Sequence, residues 1–445
     1  MTFGVRVARA KAQPAFGRRL GVLAALGATA CGVIALAACS SDLVNPESPL
    51  WFHHKSGAIN IVIERPLTAS GRTTGEDYER SKAAVDAENG RVFIGSADHG
   101  LYALRASDGS PIWRFETLGV VQCEPLYDPE LDVVYFGSHD GGLYAVRARD
   151  GSLVYRFMTG AEVSRVPVLG GETLYVANGA DQLYALDRRT GKARWSVRRT
   201  PALGMEVAGY AGPMFDHGKV YMAFSDGRVD AYDAKDGTER WTPVDLSADA
   251  EQSSTTGETP RYLDVDTTPV LGEIAGERVI YVASYAGGVF ALDAETGARV
   301  WSNDQATGTT DLVMWKEPAH TPNGFGPDKG GPQEPERKLL FASSSVSGLW
   351  ALDPATGQRV WRIKIPDGGM TAPAAISGAI LLGTTQYGLF LLSPRNGKVI
   401  DAVDLGSGFA QTPTVFGGHA YMMSNGGTFL GVTVAPPVKG YPTNG

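Results

Sequence analysis

Cysteine and histidine, which most often supply disulfides, metal ligands and nucleophiles, are scarce in this sequence. Its 445 residues include three cysteines and seven histidines. No histidine pair has zinc-ligand spacing beside a cysteine or an acid, and the neighbours His53 and His54 would point to opposite faces of an extended strand. The sequence therefore predicts no metal site. It also lacks a nucleophile elbow, a phosphate-binding loop or a dinucleotide fingerprint in the context that each requires.

Positive charge is in deficit as well. The chain has 40 basic and 48 acidic residues, a net charge of −8, and five of the basic residues lie in residues 1–38, which contain no acid. Without that segment the net charge would be −13. A chain with this net negative charge is not expected to bind nucleic acid or the surface of an anionic membrane by electrostatic attraction.

The first 38 residues have the pattern of a secretory signal. A basic stretch precedes an apolar run from Leu20 to Ala38, and no persistent apolar stripe at helical spacing follows elsewhere. The run ends in Leu36-Ala37-Ala38-Cys39, which looks like a bacterial lipobox, so Cys39 is expected to become the lipidated first residue. An ordinary signal peptide or an uncleaved anchor are the alternatives.

Lipidation would leave the mature chain attached to a membrane by residues 39–50, a short polar tether. Ser40, rather than aspartate, follows the cysteine, which predicts sorting to the outer membrane with the protein facing the periplasm. Cys31 would leave with the signal, so Cys123 would remain as the single unmodified cysteine. No intramolecular disulfide is then possible.

A recurring phrase dominates the rest of the chain: a short apolar strand, a turn ending in glycine and, in most copies, an aromatic residue four positions later. The first copy runs from Leu101 to Gly109 and is followed by Trp113. The phrases begin at residues 101, 143, 183, 229, 289, 349, 389 and 429, so the spacings are 42, 40, 46, 60, 60, 40 and 40 residues. A period near forty residues is typical of a propeller or a solenoid.

The repeat unit predicts four strands. Two-residue alternation indicates a strand with one buried face, and the turn glycine suits a positive φ. Another alternating strand precedes each phrase, and a proline-led strand, as at Pro125 and Pro167, precedes that one. Four strands per forty residues make one propeller blade, so eight phrases predict an all-β, eight-bladed propeller.

The two ends of the repeat series predict ring closure. The eighth phrase has no turn or aromatic residue of its own, the seventh has Ile400 in the aromatic position, and Trp51 stands near the N-terminus without a phrase before it. The strand around Trp51 is therefore expected to complete the last blade, which removes two exposed sheet edges.

The repeat pattern resembles the quinoprotein propeller repeat family. Ala-Leu-Asp-x-x-Thr-Gly-x-x-x-Trp is clearest at Ala185 to Trp195, Ala291 to Trp301 and Ala351 to Trp361. The resemblance implies that the tryptophans dock blade on blade. These positions are Trp51, Trp113, Trp195, Trp241, Trp301 and Trp361. Some family members bind pyrroloquinoline quinone with calcium and oxidise alcohols or sugars, but this chain lacks their vicinal cysteine pair. A quinone- and calcium-dependent dehydrogenase is the alternative function; the expectation is no cofactor and no enzyme activity.

A narrower string resembles the BamB family, the propeller lipoproteins of the machinery that assembles outer-membrane β-barrels. Asp264-Val-Asp266-Thr-Thr-Pro-Val270 matches the family string in all seven residues. The resemblance implies that Asp264 and Asp266 contact the barrel-forming subunit, BamA. The spacing places both carboxylates on one side of a strand entrance, after a polar loop, so they are expected on an exposed rim. The alternative is that they cap the turn through local backbone amides.

The same family surface includes a loop one blade earlier, of the form Leu-x-Leu-Arg-Gly. Counting back from Pro213 places Met205 and Val207 at its two apolar positions, and both are expected to contact the partner. Ala208 stands where the family has arginine, which puts the contact in doubt. Met205 and Val207 could equally be core residues.

One segment does not fit the repeat. Residues 303–338 are rich in proline and glycine and are expected to form a loop-like insertion inside one blade, with Trp315 as a candidate contact residue.

The sequence predicts four regions: a signal at 1–38, a tether at 39–50, the propeller at 51–435 and a tail at 436–445. The expected function is that of a monomeric, non-enzymatic scaffold within a complex, anchored by lipid at the periplasmic face of the outer membrane. It would bind a BamA-like subunit and other assembly members and aid the insertion of β-barrel proteins. A propeller that serves another envelope complex is a further alternative.

Overall fold

The computed structural model describes residues 57–68, 79–200, 211–246, 264–317, 336–364, 369–386 and 388–435. Within these ranges the chain is all-β and contains no helix, hence no helix long and apolar enough to cross a membrane. Thirty-two strands form eight antiparallel four-stranded sheets. The prediction of an eight-bladed propeller is confirmed.

The first four blades follow the repeat in chain order. Blade one is β2 (Ala84–Asp86), β3 (Arg91–Gly95), β4 (Gly100–Arg105) and β5 (Pro111–Glu116). Blade two is β6 (Leu126–Asp128), β7 (Val133–Gly137), β8 (Gly142–Arg147) and β9 (Leu153–Met158). Blade three is β10 (Val168–Gly170), β11 (Thr173–Asn178), β12 (Gln182–Asp187) and β13 (Ala193–Arg198). Blade four is β14 (Met214–Asp216), β15 (Lys219–Ala223), β16 (Arg228–Asp233) and β17 (Val244–Asp245).

The remaining blades include the one that closes the ring. Blade five is β18 (Val270–Ile274), β19 (Glu277–Ser284), β20 (Gly288–Asp293) and β21 (Arg299–Asn303). Blade six is β22 (Thr309–Glu317), β23 (Arg337–Ser344), β24 (Gly348–Leu352) and β25 (Arg359–Ile363). Blade seven is β26 (Ala374–Ile376), β27 (Ala379–Thr384), β28 (Gly388–Leu392) and β29 (Val399–Val403). Blade eight combines β30 (Thr414–Phe416), β31 (His419–Met423) and β32 (Thr428–Val434) with β1 (Ile59–Pro66).

The core lies between blades rather than on one side of each sheet. The second and third strands of a blade, such as β3 and β4, are buried along nearly their whole length. Outer strands such as β5 alternate between exposed and half-buried residues. The prediction of one buried face per strand is therefore wrong for the middle strands. Each of these strands is covered on both faces because the neighbouring blades pack against both sides of the sheet.

In blades two to seven, the turn glycine packs against the outer-strand aromatic residue of the preceding blade. Gly151 has φ 73°, and a Cβ there would lie 2.8 Å from the ring of Trp113. Trp113 Nε1 donates to the carbonyl of Ala148 in the next blade at 2.9 Å. The same aromatic-to-glycine contact recurs between Tyr155 and Gly191, Trp195 and Gly237, Trp241 and Gly297, Trp301 and Gly357, and Trp361 and Gly397. Glycine is thus required at this turn both for its backbone conformation and for the space that it leaves.

The seventh blade departs from this arrangement. The strand register places Asp401, not Ile400, opposite Leu391, where the other blades have their aromatic residue. The assignment of Ile400 to this position is therefore wrong. The Asp401 side chain is 3% exposed, and its Oδ2 accepts a hydrogen bond from the Ile59 backbone amide at 2.9 Å. Asp401 thus binds the first residue of β1, the strand that closes the ring.

Closure by an N-terminal strand is confirmed, but the strand is β1 and not the segment around Trp51. β1 pairs along β32 from Ile59 opposite Val434 to Pro66 opposite Thr428. Ile63 lies opposite Gly431, at the position that an aromatic residue occupies in other blades. Its side chain packs against Gly109 of blade one. An aliphatic residue thus replaces the tryptophan that the sequence suggested. Trp51 lies outside the described residues.

The structure also corrects the account of residues 303–338. Residues 309–317 are β22, the innermost strand of blade six, and residues 337–338 begin β23. Trp315 is 7% exposed and packs against Phe341 with ring centroids 6.3 Å apart. It is a core residue, so its assignment as a surface contact is wrong.

One face of the propeller carries both the connections between blades and the hairpins between second and third strands. We call it the crossover face; its hairpins lie at residues 96–99, 138–141, 179–181 and 224–227 in the first four blades. Hydrogen bonds join the two kinds of loop, as from the Val121 amide to the Ser96 carbonyl at 3.0 Å. This face contains the candidate site.

Candidate functional site

The Asp264–Val270 string forms the crossover between blades four and five and leads directly into β18. Its backbone joins the hairpins of both blades: the Val265 amide donates to the Phe224 carbonyl at 3.4 Å, and the Tyr285 amide donates to the Asp264 carbonyl at 3.2 Å. The string is therefore held from two sides on the crossover face.

The two threonines of the string are structural. Thr267 Oγ1 accepts from the Ala283 amide at 2.8 Å and donates to the Ala283 carbonyl at 3.2 Å. Thr268 Oγ1 accepts from the Gly212 amide at 2.8 Å. These bonds fix the string to β19 and to the segment that leads into β14.

Asp264 and Asp266 lie together, but they are not displayed on a rim. They are 5% and 8% exposed, so the expectation of an exposed acidic rim is wrong. The negative charge of Asp264 acts on the Asp266 carboxyl group. Among the described residues, no backbone amide donates to either carboxyl group, and Asp266 Oδ1 has no hydrogen-bond partner. Turn capping therefore does not account for the pair.

The pair is electrostatically unusual. Burial, and then the negative charge of Asp264, raise the pKa of Asp266 well above its ordinary value. The positive charge of the Arg165 guanidinium lowers the pKa of Asp266 and so opposes this shift. Arg165 Nη2 donates a hydrogen bond to the Asp266 backbone carbonyl at 3.1 Å. A buried carboxyl group beside another negative charge favours its neutral form, so Asp266 keeps its proton at neutral pH.

A second group of charges adjoins the pair in blades three and four. The Asp181 carboxylate, which adds to the negative field at Asp266, accepts hydrogen bonds from the Ser225 hydroxyl and amide. Arg199 Nε donates to Asp226 at 3.1 Å, and its Nη1 bonds Asp230. Burial raises the pKa of Asp181 and Asp230. Spacing gave no signal for this group, because its members come from two hairpins, the end of β13 and strand β16.

The predicted apolar contact residues Met205 and Val207 lie outside the described residues. Residues on either side of their segment are described. Arg199 belongs to the group of charges around Asp181 and Asp230, and the Gly212 amide donates a hydrogen bond to Thr268 of the string. An open polar cleft of about 680 Å³, lined in part by Arg199, Asp226 and Tyr232, lies beside the first of these ends. The fold thus brings both ends of residues 201–210 close to the aspartate string.

A third polar cluster joins segments that lead into several blades. Lys82 Nζ lies 2.9 Å from Glu124 Oε1, and the charges of Lys82, Glu124 and Arg165 all act on Asp311. Lys82, Glu124 and Arg165 precede β2, β6 and β10, and Asp311 lies on β22, the first strand of blade six. Burial raises the pKa of Asp311. The sequence gave no sign of this cluster.

Two features of the described residues bear on catalysis. No group of three or more His, Cys, Asp or Glu residues among them could hold a metal ion. Burial raises the pKa of the Cys123 thiol to about 12, so it is no nucleophile at neutral pH.

Comparison with known proteins places these features in context. The "Outer membrane protein assembly factor BamB" of Legionella pneumophila (strain Paris) is 24% identical over 236 residues, 53% of each chain. The Yersinia pestis protein of the same name is 24% identical over 355 residues, 78% of this chain and 70% of that one. The crystal structure of BamB from Moraxella catarrhalis matches with a TM-score of 0.64 at 19% identity, covering 84% of this chain and 99% of that one. At that identity the structural match shows the fold alone.

Enzymes share the architecture. The quinohemoprotein alcohol dehydrogenase ADH-IIG of Pseudomonas putida is 27% identical over 278 residues, 53% of this chain but 37% of the enzyme. The chain also spans only about half the length of the Legionella protein. The family described as "Outer membrane protein assembly factor BamB" matches residues 130–362 and 345–435, which is more than half of the chain. The protein therefore belongs to the BamB family of outer-membrane protein assembly factors.

Proposed function

We propose that this protein is a non-enzymatic scaffold of outer-membrane protein assembly, and that its crossover face binds the barrel-forming, BamA-like subunit. One observation carries the proposal: the Asp264–Val270 string is fixed on that face, and the segment that contains Met205 and Val207 begins and ends beside it. Paired carboxyl groups suit a partner guanidinium, which donates in a bidentate manner.

Partner binding is tested by co-purification from detergent-solubilised outer membranes. The wild-type chain should retain the barrel-forming subunit, and the double variant D264N/D266N should retain at least about tenfold less, because losing buried charged contacts weakens binding by about 2–5 kcal/mol. Asn preserves the shape of each side chain, so the melting temperature should not fall below the wild-type value.

D304N is the matched control, because Asp304 is an exposed acid in the next crossover, between blades five and six. It should bind like wild type. Full retention by the double variant would refute the assigned contact. Absence of the barrel-forming subunit among wild-type partners would favour another envelope complex.

We also propose that Cys39 carries the lipid anchor, that residues 39–50 form the tether, and that the protein faces the periplasm. Labelled palmitate should enter the wild-type protein and not C39S. In C39S the chain should leave the outer-membrane fraction. Membrane retention of unlabelled C39S would oppose the anchor.

The absence of enzyme activity is part of the proposal, since a dehydrogenase is among the relatives. Adding pyrroloquinoline quinone and calcium and following alcohol-dependent dye reduction should give no turnover above a heat-denatured sample. Robust turnover would overturn the scaffold assignment.

A further inference from the structure

The boundary between blades eight and one lacks a hydrogen-bond donor that most other boundaries have. At six other boundaries an outer-strand ring packs on the turn glycine of the next blade. Five of these rings also donate a hydrogen bond to that blade, as Trp113 does. Between blades eight and one, Ile63 and the ring of Phe429 fill the space beside Gly109. Neither of these side chains can donate a hydrogen bond.

The missing donor leaves one backbone carbonyl with an unused lone pair. In the first seven phrases the carbonyl of the sixth residue accepts from side chains of the preceding blade. The Ala234 carbonyl accepts from Tyr175 OH at 2.8 Å and from Trp195 Nε1 at 3.1 Å. Two donors also meet at the carbonyls of Arg188, Ala294 and Pro354. Within the described ranges, the Ala106 carbonyl accepts only from Tyr421 OH, at 3.2 Å. Because a carbonyl oxygen has two lone pairs, Ala106 can accept a further donor.

A cleft of about 700 Å³ opens beside this carbonyl. It lies on the face opposite the crossover face, because Ala106 follows the third strand of its blade and His419 begins the second strand of the neighbouring blade. The cleft is lined by Ala106, Tyr421 and the half-buried ring of His419, which stacks on Tyr421 with centroids 6.1 Å apart. Ile112 adds apolar surface. Exposed residues form much of the remaining lining: Asn89, Gly90, Arg105 and Ser107.

We propose that this cleft binds a tryptophan side chain of another polypeptide, whose indole N–H donates to the Ala106 carbonyl while the ring packs beside His419 and Tyr421. The chemistry is that of the protein's own boundaries, where an indole Nε1 or a phenol hydroxyl supplies the second donor. Indole combines a large apolar surface with one donor and no acceptor. A polypeptide is favoured over a free indole, because the volume suits a ligand larger than one ring and the exposed Asn89 and Ser107 can bond its backbone.

Methyl NMR of the full mature chain, with labelled alanine and isoleucine methyl groups, tests the proposal. The probes are N-acetyl-tryptophanamide and a short peptide with a central tryptophan flanked by serine and glycine. Both should shift the methyl signals of Ala106 and Ile112 in a saturable manner, and the peptide should bind at least as tightly as the amide. The methyl signals of Ala234 and Ala294 should not move, because two protein donors already bind each of these carbonyls.

A methylated probe and two variants test the individual contacts. N-acetyl-1-methyltryptophanamide has the ring without the N–H and should bind roughly fivefold more weakly, because one hydrogen bond is lost. H419A removes an aromatic wall of the cleft and should weaken binding of both tryptophan probes by roughly threefold or more. H217A is the matched control, because His217 is an exposed histidine just before the second strand of blade four. It should bind like wild type.

Several results would overturn the proposal. One is the lack of a saturable shift at Ala106, and another is equal affinity for the methylated and unmethylated amides, which needs only the wild-type chain. Binding of the amide but not of the peptide would make a free small molecule the ligand. Tighter binding by W51F than by wild type would show that the chain's own Trp51 competes for the cleft. The Asp264–Val270 string lies on the other face, so none of these results bears on the proposed function.

Discussion

The hydrogen bond between Asp401 and β1 contributes directly to ring closure, so removal of the Asp401 side chain should weaken that closure. Asp401 is buried in the aromatic position of blade seven, and its Oδ2 is 2.9 Å from the Ile59 amide nitrogen. Its Oδ1 accepts from the Ala402 amide at 3.0 Å. D401A removes both acceptors and leaves the Ile59 amide, the first of β1, without that partner.

The expected loss follows from these contacts. A buried amide left without a partner costs about 1–3 kcal/mol, and a hydrogen bond to a charged acceptor contributes about 1.5–3 kcal/mol. We therefore expect D401A to lower the free energy of unfolding by about 2–3 kcal/mol. D401N keeps one oxygen acceptor and should lose about 1 kcal/mol.

Urea denaturation and amide hydrogen exchange measure the two effects. In D401A the Ile59 amide should exchange roughly 30-fold faster or more, since about 1.4 kcal/mol corresponds to a factor of ten. Amides of β15, in blade four on the far side of the ring, should change less than those of β1. E64A is the control, because Glu64 is an exposed acid on β1 itself. If D401A is as stable as E64A, the bond to Ile59 does not hold the closing strand.

Three further predictions concern buried polar atoms. Trp361 Nε1 donates to the Pro394 carbonyl at 2.8 Å, whereas the buried Trp241 Nε1 has no hydrogen-bond partner among the described residues. W361F should therefore be about 1 kcal/mol more destabilising than W241F in thermal or urea denaturation, and equal losses would contradict this. The Cys123 thiol, with its pKa raised to about 12, should resist alkylation at about pH 8 until the protein is unfolded; rapid labelling of the native chain would show the burial to be wrong. The folded chain holds a proton at Asp266 that the unfolded chain loses, so the free energy of unfolding of the wild-type chain should fall as the pH rises above the ordinary aspartate range. D266N should not show this fall, and parallel plots of unfolding free energy against pH for the two chains would refute the assignment.

The repeat phrase was sufficient to predict the fold because its signals are local. Strand alternation and a glycine turn act within a few residues, and the turn glycines, such as Gly191 and Gly357, do adopt positive φ. The number of phrases then gave the number of blades. The resemblance to the quinoprotein repeat also implied that the tryptophans dock blade on blade, and Trp301 and Trp361 do contact Gly357 and Gly397 of the next blades.

The errors concern contacts between residues far apart in the chain. Asp401 could not be recognised as a closing residue, because Ile59 lies 342 positions away and an acid does not resemble the tryptophan that it replaces. Trp315 was placed on the surface because the proline-rich sequence after it hid an innermost strand. The string of Asp264 and Asp266 was located correctly in the fold, yet its burial depends on neighbouring hairpins around Phe224 and Tyr285, which spacing does not reveal.

The sharing of blade eight by the two ends of the propeller has a consequence for biogenesis. β1 precedes every other described strand in the chain, and its partner β32 follows them all. If the chain is exported from its N-terminus, β1 emerges first. It then stays unpaired with β32 while the other seven sheets fold. Final sealing must then wait for β30 to β32, and such late, distant pairing is slow. Any chaperone that binds the emerging chain would meet the molecule with β1 still unpaired.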